Sequence, residues 1–312
     1  MTLNFARILP VLLSLVLLCL PQPATSGFLR DRLQGHKHSQ VGSHGLGIAS
    51  EDWAPAGAKR LADLAYGSAD KQKLDVYLPR APHNAPTIIM VHGGAWFIGD
   101  KGNSGVTANK LTYWGEGKGY IFVSVNYRLV PEANPLQQAH DVAKAIAYVQ
   151  RNLPQWGGDP HQVIIMGHSA GAHLVGLLGA NPALAAQDGA QRWRGTVVLD
   201  SAAMDIVSTM QKHHPRFYDK AFGSDETLWR AASPLQQLAP TATPMLVVCS
   251  ERRGDKPCIQ SEQFVRKAKG LGVQAILAPQ DKGHGSISKD LGEDPVYTRQ
   301  VDSFITQALG GP

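Results

Sequence analysis

The chain is poor in cysteine, in clustered charge and in long apolar runs, and each shortage excludes a class of protein. Three cysteines in 312 residues, Cys19, Cys249 and Cys258, are too few for a disulfide-stapled scaffold. The formal net charge of +5 is spread along the chain, and no cluster of Lys and Arg interleaved with aromatics marks a nucleic-acid surface. The apolar run Ile8–Leu20, broken by Pro10 and Ser14, falls short of the roughly 20 residues that a bilayer span needs. There is no internal repeat and no sign of a coiled coil, a collagen or a disordered polymer. What remains is an ordinary globular composition, 43% hydrophobic and 18% charged.

The short apolar run has a more specific reading. Arg7 precedes it, and Pro21-Gln22-Pro23-Ala24-Thr25-Ser26 follows, ending in small residues. Positive flank, short apolar segment and small-residue cleavage site predict a signal peptide over residues 1–26 and a secreted or periplasmic protein with no stable membrane span after its removal. Lipoprotein processing at Cys19 is disfavoured by the bulky Leu18 before it. Removal of Cys19 leaves Cys249 and Cys258, a pair that an oxidising compartment can join; the bond needs Cα atoms within about 7 Å, a condition that spacing leaves open. Residues 27–58 read as a leader without apolar periodicity. Its His36, His38 and His44 have no Cys or carboxylate beside them at ligand spacing, so the segment reads as a solvated linker and no metal site is expected.

Regular patterning begins near residue 59 and runs to 312. Lys73–Pro79 alternates apolar and polar residues, as a half-buried edge strand does. Thr87–Val91, Tyr120–Val125, Val163–Met166, Thr196–Leu199, Met245–Val248 and Ala275–Ala278 are continuous apolar runs, the pattern of strands buried on both faces. Helical periodicity fills the intervals at Leu136–Asn152, Ala170–Ala180, Ile259–Lys269 and Val296–Leu309. This alternation predicts an α/β domain with a mostly parallel central sheet covered by helices on both faces. Residues 202–240 break the rhythm and carry scattered aromatics, which predicts a small lid insertion above the carboxyl ends of the strands.

The chemistry concentrates at strand ends. Gly167-His168-Ser169-Ala170-Gly171 lies between a strand and a helix, the context in which such a turn is tight enough to need near-absent flanking side chains and to project a nucleophilic serine. Ala170 opens the helix, where its N–H can face an anion. His92-Gly93-Gly94-Ala95-Trp96 ends another strand; there Gly94 and Ala95 are the expected oxyanion donors together with Ala170, Gly93 supports the loop and Trp96 borders the substrate pocket. Twelve histidines compete for the role of base. His284 stands in a Gly-flanked loop after the last strand, whereas His173 points down the helix, His168 is inside the turn, and His140 and His161 precede it. The orienting acid is expected after the strand Met245–Val248, at Asp255 in preference to Glu251, because Asp255 sits behind a glycine and just before a helix.

The stretches His92–Lys101 (HGGAWFIGDK), Asn126–Leu129 (NYRL), Gly167–Leu174 (GHSAGAHL) and Gly283–Gly292 (GHGSISKDLG) resemble the esterase/lipase branch of the α/β-hydrolases, in particular feruloyl-esterase-like and arylformamidase-like enzymes. The resemblance implies the α/β-hydrolase fold and a serine hydrolase that cleaves a small-molecule carboxylic ester through Ser169, His284 and Asp255, with no metal or organic cofactor. An amidase, an arylformamidase or a peptidase can use the same machinery, and a hydrolase fold without catalysis is the rival of a different class.

Overall fold

The computed structural model describes residues 59–311. The signal peptide and leader expected over residues 1–58, with Cys19, His36, His38 and His44, lie outside the described residues. Eight strands form one sheet: β1 (Lys59–Ala65), β2 (Lys73–Leu78), β3 (Ala85–Val91), β4 (Ile121–Val125), β5 (Gly158–His168), β6 (Gly195–Leu199), β7 (Met245–Ser250) and β8 (Ala275–Gln280). Their order across the sheet is β1-β2-β4-β3-β5-β6-β7-β8. The β1–β2 and β2–β4 pairings are antiparallel, and every pairing from β4 to β8 is parallel.

The helices, in chain order, are α1 (Ser104–Lys110), α2 (Pro135–Asn152), α3 (Ala170–Ala180), α4 (Pro182–Ala186), α5 (Ile206–Met210), α6 (Arg216–Phe222), α7 (Glu226–Ala231), α8 (Pro234–Gln237), α9 (Pro257–Gly270), α10 (His284–Lys289) and α11 (Pro295–Ala308). None of them is long and apolar enough to cross a membrane. The continuous apolar strands are explained by the two layers they face. Ile89, Val123 and Ile165 pack with Val142 and Ile146 of α2 and Leu174 of α3 on one face. The alternate positions Ile88, Phe122 and Met166 pack with Val106 of α1 and with Val301 and Phe304 of α11 on the other. Because the side-chain period of a strand is two, both layers need apolar partners and no polar stripe survives. Helix α2 starts sharply: Pro135 occupies its first turn, and Asn134 and Gln137 cap each other reciprocally.

The alternation in Lys73–Pro79 has a different cause from the one its pattern suggests. β2 is not an edge strand; β1 lies outside it. The polar Asp75 faces the interior with a fully buried side chain, where Arg60 Nη2 and Lys101 Nζ each approach its carboxylate at 2.8 Å. A buried carboxylate is tolerated when paired and hydrogen-bonded, so an inward ion pair mimics the outward polar stripe of an edge. Residues 202–240 fold as the short helices α5–α8 between β6 and β7.

One buried charge stands apart. Lys110, at the end of α1, is 1% exposed, and its Nζ donates to the Ser288 carbonyl at 2.5 Å. Burial lowers its pKa to about 7, against a smaller opposing pull from Asp290. The unfolded chain, with lysine near 10.5, binds more protons between those two values, so stability rises with pH across that window and the contribution is lost below pH 7. Urea unfolding at about pH 6.5 and about pH 9.5 should show a gain of about 3 kcal/mol in the wild type that Lys110→Met lacks. An equal pH increment in both proteins would remove Lys110 as its source.

Candidate active site

The ends of β5, β6 and β8 meet at one place. Ser169 follows β5 in a left-handed conformation, φ 57° and ψ −117°, which a non-glycine residue adopts only at a cost. Its N–H donates to Leu199 O at 3.0 Å and its carbonyl accepts from His173 N at 3.1 Å, so the sheet and α3 hold the turn from both sides. The glycines are required by contact: a Cβ on Gly167 would lie 2.4 Å from Gly171 O, and one on Gly171 would lie 2.3 Å from Val91 O.

His284, the first residue of α10, brings Nε2 to 2.9 Å from Ser169 Oγ. Its Nδ1 lies 2.5 Å from Oδ2 of Asp200, and because a carboxylate only accepts, Nδ1 carries the proton. Asp200 follows β6 directly, with φ 59° and a fully buried side chain. Burial alone would raise its pKa, but the hydrogen bond from His284, the Arg253 cation and the Ser250 N–H outweigh it and hold the carboxyl at about 2. Ser250 N donates to Oδ1 at 2.8 Å, and Arg253 Nη1 donates to Oδ2 at 3.0 Å.

The acid expected at Asp255 is therefore displaced. Asp255 is exposed and grips Arg253, accepting from its Nε at 2.8 Å and also from its Nη2. Glu251 lies at the exposed start of the same loop. The group in contact with His284 is Asp200, which the sequence reading passed over although it ends the apolar run Thr196–Leu199. The loop after β7 also reaches the site, through Ser250 N and Arg253, but its Asp255 lies on the outer edge of the Arg253 guanidinium with a half-exposed side chain, so the buried carboxylate against His284 comes from the end of β6. A carboxylate at the carboxyl end of a parallel strand was the available signal.

His168 also shapes the site. Its Nε2 lies 2.9 Å from the carbonyl of His284, and the two rings are 4.6 Å apart. Burial, reinforced by His284, lowers its pKa to about 3, so it is neutral and its Nε2–H pins the backbone of the histidine above it.

The loop after β3 approaches the same point. Gly94, Ala95 and Trp96 have φ 124°, 51° and 69°, and Gly94 O accepts from Phe97 N and Ile98 N at 3.1 Å each. Gly93 sits directly against Ser169, since a Cβ there would fall 2.8 Å from Ser169 Cβ. Ala170 is the first residue of α3, so its N–H has no partner within the helix. His92 braces the loop: its ring stacks on Tyr127 at 4.5 Å, and Tyr127 Oη donates to His92 O at 2.9 Å.

Trp96, expected beside the substrate, is instead 3% exposed. Its Nε1 donates to His173 Nδ1 at 3.2 Å, and Tyr218 and Phe222 of α6 enclose its ring at 5.5 and 4.9 Å. Its polar tip ties the loop to α3, and its ring packs against the inserted helix α6. Cys249 of β7 and Cys258 of α9 form a disulfide with Cα atoms 5.2 Å apart, closing the loop that carries Arg253 and Asp255.

Comparisons with known proteins agree with this architecture. The BD-FAE family model matches residues 74–268. Esterase LipC of Mycobacterium tuberculosis is 28% identical over 242 residues, covering 71% of this chain and 59% of its own length. Esterase LipQ of the same organism is 31% identical over 272 residues, covering 81% of this chain and 62% of its own. The chain thus spans about three fifths of the length of these relatives. A truncated carbohydrate esterase from gut microbiota superposes with a TM-score of 0.67 at 21% identity, over 80% of this chain and 96% of the other. The fold is that of the α/β-hydrolases.

Proposed function

The chain belongs to the BD-FAE family, and from that premise we propose that it is a serine esterase acting on small-molecule carboxylic esters, with Ser169 as nucleophile, His284 as base and Asp200 as the orienting acid. The observation that carries the proposal is the unbroken hydrogen-bond chain Ser169 Oγ–His284–Asp200. The esterase relatives support the reaction class.

As Ser169 Oγ attacks the ester carbonyl, its proton passes to His284 Nε2 and the new Oγ–C bond pushes the carbonyl electrons onto oxygen. The N–H groups of Gly94, Ala95 and Ala170 stabilise that oxyanion, and Gly93 leaves room for the carbonyl beside Ser169. Collapse of the intermediate breaks the C–O bond, and the departing alkoxide takes the proton from His284. Water then repeats the sequence on the acyl-enzyme and frees the acid. Asp200, ionised across the working pH range, holds the required tautomer and offsets the imidazolium charge. Helices α5–α8 act as the lid over the entrance. The Cys249–Cys258 disulfide supports export to an oxidising compartment.

The test is covalent labelling. A fluorophosphonate probe should react stoichiometrically with the folded protein, and peptide mapping should locate the adduct on Ser169. Hydrolysis of p-nitrophenyl acetate should fall in proportion to labelling. Turnover that persists in fully labelled protein would refute the assignment.

A further inference from the structure

Among the described residues, Arg253 brings a guanidinium into the contacts of Asp200 and His284, and the acyl-transfer steps do not use it. Its Nη1 lies 3.0 Å from Asp200 Oδ2, 3.3 Å from the Asp200 carbonyl and 3.0 Å from His284 Nδ1. The opposite edge of the guanidinium is taken by Asp255. The side chain is 20% exposed, so its field is weakly screened. The loop that carries it is closed by the Cys249–Cys258 disulfide.

We propose that Arg253 is a positioning residue that fixes the Asp200 carboxylate against His284. This rests on the assignment of Ser169, His284 and Asp200 given above. Two consequences of the geometry point the same way. Since Nδ1–H already points at Asp200, the guanidinium donates to the carboxylate and the carbonyl and cannot also donate to the ring. The same Nη1 reaches both the carboxylate and the carbonyl of Asp200, which fixes the rotation of that side chain. Asp255 holds the far edge of the guanidinium and so fixes its plane.

The other groups around this pair are unlike Arg253. His168, below His284, is neutral, and Lys110 lies behind it. Tyr297 is buried behind Asp200 and donates from Oη to Ile287 O. Tyr218 of α6 faces Arg253 and Asp255, and burial holds it un-ionised. Lys282 is paired with Asp290 and Asp294 away from the ring.

The experiment measures kcat and KM for p-nitrophenyl acetate and the rate of fluorophosphonate labelling in the intact protein at one fixed pH. Arg253→Met should lower kcat and the labelling rate about tenfold and leave KM within about twofold. Arg253→Lys should recover only part of that loss, because it keeps the charge while losing the planar guanidinium. Unchanged kcat and labelling in Arg253→Met, with only lower thermal stability, would mean a structural brace and overturn the proposal. A rise confined to KM would make Arg253 a substrate contact and overturn it as well. Wild-type protein that is not labelled at Ser169 would instead refute the underlying assignment.

Discussion

Asp200→Asn is expected to lower kcat by about 10⁴-fold, while Asp255→Asn stays within about tenfold of the wild type. The amide has nearly the same shape as the carboxylate, so the site is not emptied. What changes is the partner of His284: an amide presents either its N–H₂ or a weaker, neutral oxygen to Nδ1, and the tautomer that leaves Nε2 free for Ser169 is no longer enforced. The offset to the imidazolium charge also disappears. Asp255 has no such position, because its carboxylate is exposed and engaged with Arg253. Removing Asp200 leaves Arg253 beside a neutral group, but Asp255 still pairs with it, so the variant should fold. Rates on p-nitrophenyl acetate, with far-ultraviolet circular dichroism as the folding control, decide the matter. The reverse ranking of the two variants would return the acid to the loop after β7.

Ser169 supports a second prediction in which activity and stability move in opposite directions. Ser169→Ala should reduce kcat by about 10⁵-fold or more, leaving only the rate enhancement due to oxyanion binding. Ser169→Gly should be equally inactive yet more stable than Ser169→Ala by about 1 kcal/mol, or about 2 °C in melting temperature. The reason lies in the backbone: φ 57° with ψ −117° costs alanine and serine alike and costs glycine little. The turn cannot relax to escape this strain, because the Ser169 N–H is bonded to β6 and its carbonyl to α3. Thermal unfolding of the three proteins tests the point, and equal melting temperatures for the Gly and Ala variants would show that the turn stores no strain. Wherever the strain is present, it holds Oγ clear of the sheet and within reach of His284.

Much of this molecule is local and therefore legible in one dimension. The strand, the tight turn and the helix around Ser169 are contiguous, so the small residues at 167 and 171 and the flanking periodicities could be read together. The parallel strands announced themselves as unbroken apolar runs because helices cover both their faces. His284 was found among many histidines because it alone follows the last strand within a glycine-flanked loop. The short helices α1 and α10 carried no comparable signal; each is shorter than the window over which helical periodicity becomes visible.

Tertiary structure decided the rest, wherever the outcome depends on which segments become neighbours. Asp75 looked like a solvent-facing position until Arg60 and Lys101 were seen to meet it inside the sheet. Trp96 looked like a pocket wall until His173, Tyr218 and Phe222 closed around it. Asp200 and Asp255 both follow strands and both lie between Ser169 and His284 in the chain, so sequence order could not separate them. Packing did: the Asp200 side chain is buried against His284, and Arg253 holds Asp255 on its outer edge, half exposed. A nucleophile on a tight turn is specified by its nearest neighbours in sequence; the acid that serves it is specified by neighbours in space.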